Sequence, residues 1–200
     1  GIVNGNGRVE LATAPSNASY VYGIIENSKV VYDIVRTTNT GTTWASLNEP
    51  VDDDLGIPAT DFSRGQAWYD LILAVDPSNP NKVIAGAINA HVSTNGGQSW
   101  SQISKWSNNS NMGSQPYSLI HADHHQILYK PGSANELIFG TDGGVFWTNS
   151  FSSATTSSVF SARNKGYNVT QFYAGAIHPT SGSNHMLAGS QDNGTQKFTS

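Results

Sequence analysis

Short apolar runs bounded by Gly, Pro, Asn and Ser recur along the chain, the signature of strands separated by tight turns. A second regularity sits on top of them. A strand ends in a residue followed by proline, a polar turn comes next, and another strand follows. The instances are Leu11–Ala14 before Pro15, Leu71–Asp76 before Pro77, Ile127–Lys130 before Pro131 and Ala174–His178 before Pro179. They predict four units of like design. The inner strands are Arg8–Ala14, Tyr69–Val75, Gln126–Lys130 and Phe172–Ile177. The second strands are Tyr20–Ile25, Lys82–Ile88, Glu136–Gly140 and His185–Gly189. The third are Val30–Thr37, Ala90–Ser93, Val145–Thr148 and Gln196–Thr199. A fourth starts at Trp44 and at Trp100, is indistinct after Trp147 and is missing after Ser200. The second strands are almost wholly apolar or small, as in strands sandwiched between two layers. A period of roughly fifty residues with about four short strands per unit predicts an all-β, β-propeller fold of four-stranded antiparallel blades.

The blades fall at about 8–47, 68–104, 120–150 and 169–200, in a single propeller domain over 1–200. Three long segments interrupt them: Asn48–Gln66, Lys105–Ser118 and Ser150–Asn168. Each leads from the outer strand of one blade to the inner strand of the next. Such loops gather on one face of a propeller, where binding sites lie. Four blades with an unfinished last one suggest part of a larger propeller. A sheet stack open at both ends exposes apolar faces, so a further element is expected to cap it.

Two octets punctuate the blades: Thr37-Thr38-Asn39-Thr40-Gly41-Thr42-Thr43-Trp44 and Ser93-Thr94-Asn95-Gly96-Gly97-Gln98-Ser99-Trp100. Each reads as a hairpin tip. The Asn side chain builds the turn by bonding backbone N–H groups. Gly41 and Gly97 take positive φ, and the Trp buries its ring beneath the turn. Weaker copies are Gly140–Trp147, with Asp142, Gly144 and Trp147, and Gly189–Thr195, with Asp192 and Gly194 but no Trp. The octets resemble the Asp-box, or BNR, repeat of β-propeller proteins such as sialidases, sortilin-type receptors and xyloglucan-cleaving hydrolases. The nearest resemblance is to large secreted bacterial BNR-repeat proteins, through GQAWYD at 65–70, HADHH at 121–125, GTDGG at 140–144, QFY at 171–173 and SQDNG at 190–194. It covers the chain from about Arg8 to Ser200. It implies the architecture and a secreted or cell-surface setting, and it carries little chemistry.

Charge and composition narrow the classes. Only 12% of residues are charged and the net charge is −4, so no basic face exists for nucleic acid. The absence of cysteine removes disulfides, thiolate metal sites and thiol nucleophiles. No apolar run approaches the length of a membrane span. No leader is visible, and the chain opens at Gly1 without Met, which suggests a mature product or a piece of a longer protein. Sequons at Asn17, Asn108, Asn168 and Asn193 are expected by chance in so Asn- and Ser-rich a sequence.

The densest chemistry is His121-Ala122-Asp123-His124-His125. On a strand, His121, Asp123 and His125 share one face, a ligand set for Zn or Fe. The other reading is a hydrogen-bonded polar plug without metal. Asp70 and Gln171 occupy equivalent positions in neighbouring blades and project toward the same channel mouth. Asp52-Asp53-Asp54 is either a Ca²⁺ loop or, as the plainer reading, a solvated one. A sialidase needs three clustered Arg, and Arg8, Arg36, Arg64 and Arg163 do not stand in that context.

The first expectation for function is therefore a secreted or surface binding and scaffold module. Its partners are glycans or other domains of a larger protein, with Trp68, Trp106, Tyr117 and Gln171 as ligand contacts. The alternative is a glycosidase-like hydrolase using Asp70 and Asp123, or a metal centre at His121, Asp123 and His125. A third reading is a structural repeat of a large adhesin.

Overall fold

The computed structural model describes residues 7–109, 112–167 and 169–199. The sequon at Asn168 and the terminal Ser200 lie outside them. Two compact units divide the chain, Gly1–Asn164 and Lys165–Ser200.

In the first unit, three four-stranded antiparallel sheets follow chain order. The first holds β1 (Val9–Thr13), β2 (Val21–Asn27), β3 (Val30–Thr37) and β4 (Ala45–Ser46). A helical turn α1 (Ala67–Asp70) precedes the second, made of β5 (Ile72–Val75), β6 (Val83–Gly86), β7 (Ala90–Ser93) and β8 (Ser101–Gln102). A short parallel pair, β9 (Ser104–Lys105) and β10 (Ser118–Leu119), brackets the loop between them. The third sheet holds β11 (His124–Tyr129), β12 (Leu137–Thr141), β13 (Gly144–Thr148) and β14 (Ser161–Ala162). The second unit is a three-stranded sheet of β15 (Phe172–Ile177), β16 (Met186–Ser190) and β17 (Thr195–Phe198).

The middle sheet shows why its residues were chosen. It is buried on both faces, so alternation sorts apolar residues into two cores rather than into core and solvent. Leu71, Leu73, Val75, Val83 and Ala85 join a cluster with Tyr22, Ile24 and Ile34 of the first sheet. Ile72, Ile84, Ala90 and Val92 join Ile127, Phe139 and Phe146 of the third. Polar clasps cross the seams. The Tyr22 hydroxyl donates to the Pro80 carbonyl at 2.7 Å, and the Arg8 guanidinium donates to the carbonyls of Tyr69 and Leu71.

The two full octets fold alike. The Ser93 hydroxyl accepts the N–H of Asn95 and of Gly97, the latter at 2.8 Å, and donates to Asn95 Oδ1. Asn95 Oδ1 also accepts the Ser99 N–H at 3.0 Å, while its amide donates to the Ser99 hydroxyl. Thr37, Asn39, Gly41 and Thr43 repeat each bond. The Asn therefore reaches an N–H four residues on rather than two, because the hydroxyl at the first position already serves the nearer ones. Gly97 sits at φ +87°, and a Cβ there would meet Leu47 at 2.5 Å. Trp100 reaches back to the preceding loop and donates to the Asn48 carbonyl at 2.7 Å.

Three expectations need correction. Tyr69 and Asp70 are in a helical turn, since the N–H groups of both bond the Gln66 carbonyl, and the strand starts at Ile72. Asp123 has φ +62°, and the ladder shifts register between His124 and Gln126. Strand alternation therefore does not carry His121, Asp123 and His125 onto one face. The segment 150–168 is not all loop. Ser161–Ala162 supplies the third sheet's outer strand by pairing with Phe146 and Trp147.

Candidate functional site

The leads into the inner strands of the second and third sheets meet at one end of the first unit. Arg64 (φ +52°) and Gly65 (φ +79°) reverse the chain before α1, whose single turn is held by Gln66. This turn points the Trp68 ring outward, where it is 56% exposed. The Tyr69 ring lies 5.3 Å from it, tilted by 41°. Edge-on to Tyr69, at 4.8 Å, stands the ring of His125.

Asp142 ties this group together. Its carboxylate accepts the Tyr69 hydroxyl at 3.0 and 3.1 Å and faces His125 Nε2 at 2.6 Å. His121 packs against the adjacent Gly143, where an added Cβ would fall 2.3 Å from its ring carbon. The His121 Nδ1 is 2.9 Å from the Ala122 carbonyl. Asp142 stands in the third position of an octet, where turn-making is the expected duty. That octet has Gly140 in its first position and Phe146 in its seventh, so it lacks both hydroxyls that hold Asn95 in its turn. Thr141 holds the tip instead, accepting the Gly143 N–H at 3.1 Å, and the carboxylate reaches a residue 73 positions away. Tyr69 and Asp142 were not singled out as ligand contacts from sequence. The missing hydroxyls were the legible signal.

Beneath this surface lies a buried polar layer. Asp70, His91, Asn89 and His124 are fully buried. Burial first, and then the charge of Asp123, pushes the Asp70 carboxyl up to about 8. Burial alone pushes His91 down to about 3, and burial with neighbouring imidazoles does the same to His124. All three are therefore neutral at pH 7. Neither Asp70 oxygen and none of the four ring nitrogens of the two His has a hydrogen-bond partner in the structure. His91 Nε2 lies 3.7 Å from Asp52, beyond hydrogen-bonding range.

The remaining candidates sit elsewhere. Asp52 and Asp54 are buried rather than solvated. Asp52 accepts from Asn89 at 2.8 Å, Asp54 from the Trp106 indole at 2.9 Å, and Asp53 from the Tyr117 hydroxyl at 2.7 Å. The acidic run thus pins one insertion to the next, and the polar ends of Trp106 and Tyr117 are spent on it. Gln171 and Asp192 belong to the second unit, where Gln191 donates to Asp192 at 3.0 Å and Gly194 takes φ +71°. Arg163 covers the Trp147 ring at 4.4 Å. Among the described residues no group of three or more His, Asp or Glu stands placed to hold a metal ion. None of their helices is long and apolar enough to cross a membrane.

No family model and no curated protein matches the sequence. Solved structures do. The extracellular domain of a protein named as a hybrid two component system from B. thetaiotaomicron aligns with a TM-score of 0.51 and 12% identity, over 98% of this chain and 24% of that one. An ancestral GH74 enzyme aligns at 0.49 and 20% identity, over 96% and 22%. The GH74 enzyme of Niastella koreensis aligns at 0.49 and 20%, over 96% and 28%. The chain thus spans about a quarter of the length of these structures. At such identity the likeness speaks to fold alone, and with the sheet order it makes this chain an all-β protein of the β-propeller class.

Proposed function

We propose that the chain is a carbohydrate-binding propeller module of the Asp-box kind, displayed outside the cell. Trp68, Tyr69, His125 and Asp142 form its sugar platform. The observation that carries this reading is the exposed Trp68 ring beside Tyr69, whose hydroxyl is oriented by Asp142. An exposed indole offers a flat apolar face to the C–H side of a pyranose. The carboxylate and imidazole beside it take the sugar's hydroxyls. Such a mix of aromatic surface with few convergent polar groups is the usual make-up of a small-ligand site. Hydrolysis by Asp70 and Asp123 is the less favoured reading, because the Asp70 carboxyl is buried and out of reach of a polymer.

Calorimetric titration of the chain with a panel of neutral oligosaccharides tests the proposal. Binding of at least one, weakened about tenfold or more by Trp68→Ala, is the expected result. Failure of every oligosaccharide to bind sinks it.

A further inference from the structure

The hydrogen-bonding character of the platform is one-sided. The Tyr69 hydroxyl gives its proton to Asp142. His125 Nε2, 2.6 Å from the carboxylate, turns its proton toward it. His121 Nδ1 faces the Ala122 carbonyl, which only accepts. Its Nδ1 proton is therefore spent there. Asp142 itself is acceptor-only. The Arg8 guanidinium that grips the Tyr69 segment is committed to the carbonyls of Tyr69 and Leu71 and to Glu10. The Trp68 indole N–H beside them is an uncharged donor.

From this we infer that the platform selects sugars by what they donate: it takes neutral or amine-bearing glycans and rejects those carrying carboxylate or sulfate. This rests on the carbohydrate-binding reading. A hydroxyl or amine hydrogen satisfies the Asp142 carboxylate. An anionic sugar would face a carboxylate while Arg8 is already committed to its own partners, and like charge brought together on a partly desolvated surface is repulsive. Specificity here comes from rejection as much as from attraction.

The experiment compares tetramers of glucose, glucosamine and galacturonic acid at pH 7.5. An amine donates N–H in either protonation state. The expected result is that glucose or glucosamine tetramer binds at least about tenfold tighter than the galacturonate tetramer, with the preference weakened in Asp142→Asn. That substitution keeps the shape but presents an N–H₂ donor. Trp68→Ala should lower affinity for whichever tetramer binds and leave the ranking unchanged. Galacturonate binding as tightly as the neutral tetramer, and lost in Trp68→Ala, overturns the selectivity while sparing the carbohydrate reading. No binding by any tetramer overturns both.

Discussion

The tips at Ser93–Trp100 and Gly140–Trp147 stand in adjacent sheets, the first joining β7 to β8 and the second joining β12 to β13, and they use their third residue in opposite ways. Asn95 spends its whole amide inside its own turn, on Ser93 and Ser99. Asp142 leaves its turn to Thr141 and bonds Tyr69 and His125. An octet that lacks the two hydroxyls thus spends its third residue outside its own turn. The released copy carries a charge, which a self-contained turn does not need. It also lies next to exposed aromatic rings, where a carboxylate has something to orient.

The sharpest way to break this comparison is to damage each tip in turn. Gly97→Ala forces a side chain into a φ of +87° and against Leu47. It should cost about 3 kcal/mol, read as a lower urea midpoint. Ser93→Ala removes a fully buried hydroxyl that serves two N–H groups and should cost about 2 kcal/mol in the same assay.

The buried layer under the platform gives a pH-dependent effect, on the order of a few kcal/mol across each window. The folded Asp70 carboxyl, raised from 3.8 to about 8, holds a proton that the unfolded chain releases. Its contribution is full below about pH 4 and declines as pH rises toward 8. Asp70→Asn should flatten that decline. His91, lowered from 6.5 to about 3, works the other way. Its contribution is present above pH 6.5 and is lost as pH falls toward 3, and His91→Gln should blunt the acid limb. Urea midpoints measured from pH 4 to 8 check both slopes, and parallel curves for wild type and Asp70→Asn would refute the first.

The smallest effect on stability belongs to the released tip. Asp142→Ala should shift the midpoint by less than about 0.5 kcal/mol, as for an exposed side chain, while abolishing sugar binding. Gly143→Ala should displace the exposed His121 and weaken binding with little loss of stability. A loss at Asp142→Ala equal to that at Ser93→Ala would show that the two tips do the same job.

Much of the sheet order was legible from local pattern. Val30–Thr37 and Ala90–Ser93 are strands with the expected bounds, and the octets make turns where Gly41 and Gly97 allow them. The lead-in residues were harder. Tyr69-Asp70 reads as the start of a strand, yet Gly65 and the Gln66 carbonyl close the segment into a helical turn that turns Trp68 outward. His121, Asp123 and His125 look like three ligands on one face until the positive φ at Asp123 breaks the alternation. The acidic run looks solvated until Asn89, Trp106 and Tyr117, all distant in sequence, satisfy it.

What the sequence determined by itself is the repeating strand-and-turn grammar, because a hydroxyl, an amide and a glycine within eight residues contain their own hydrogen-bond partners. Where each polar side chain is spent was decided only by the tertiary structure. His125, 17 positions from Asp142, is brought to it by the pairing of β11 with β12, and Tyr69, 73 positions away, meets it only once neighbouring sheets have packed, a coupling that no local rule supplies.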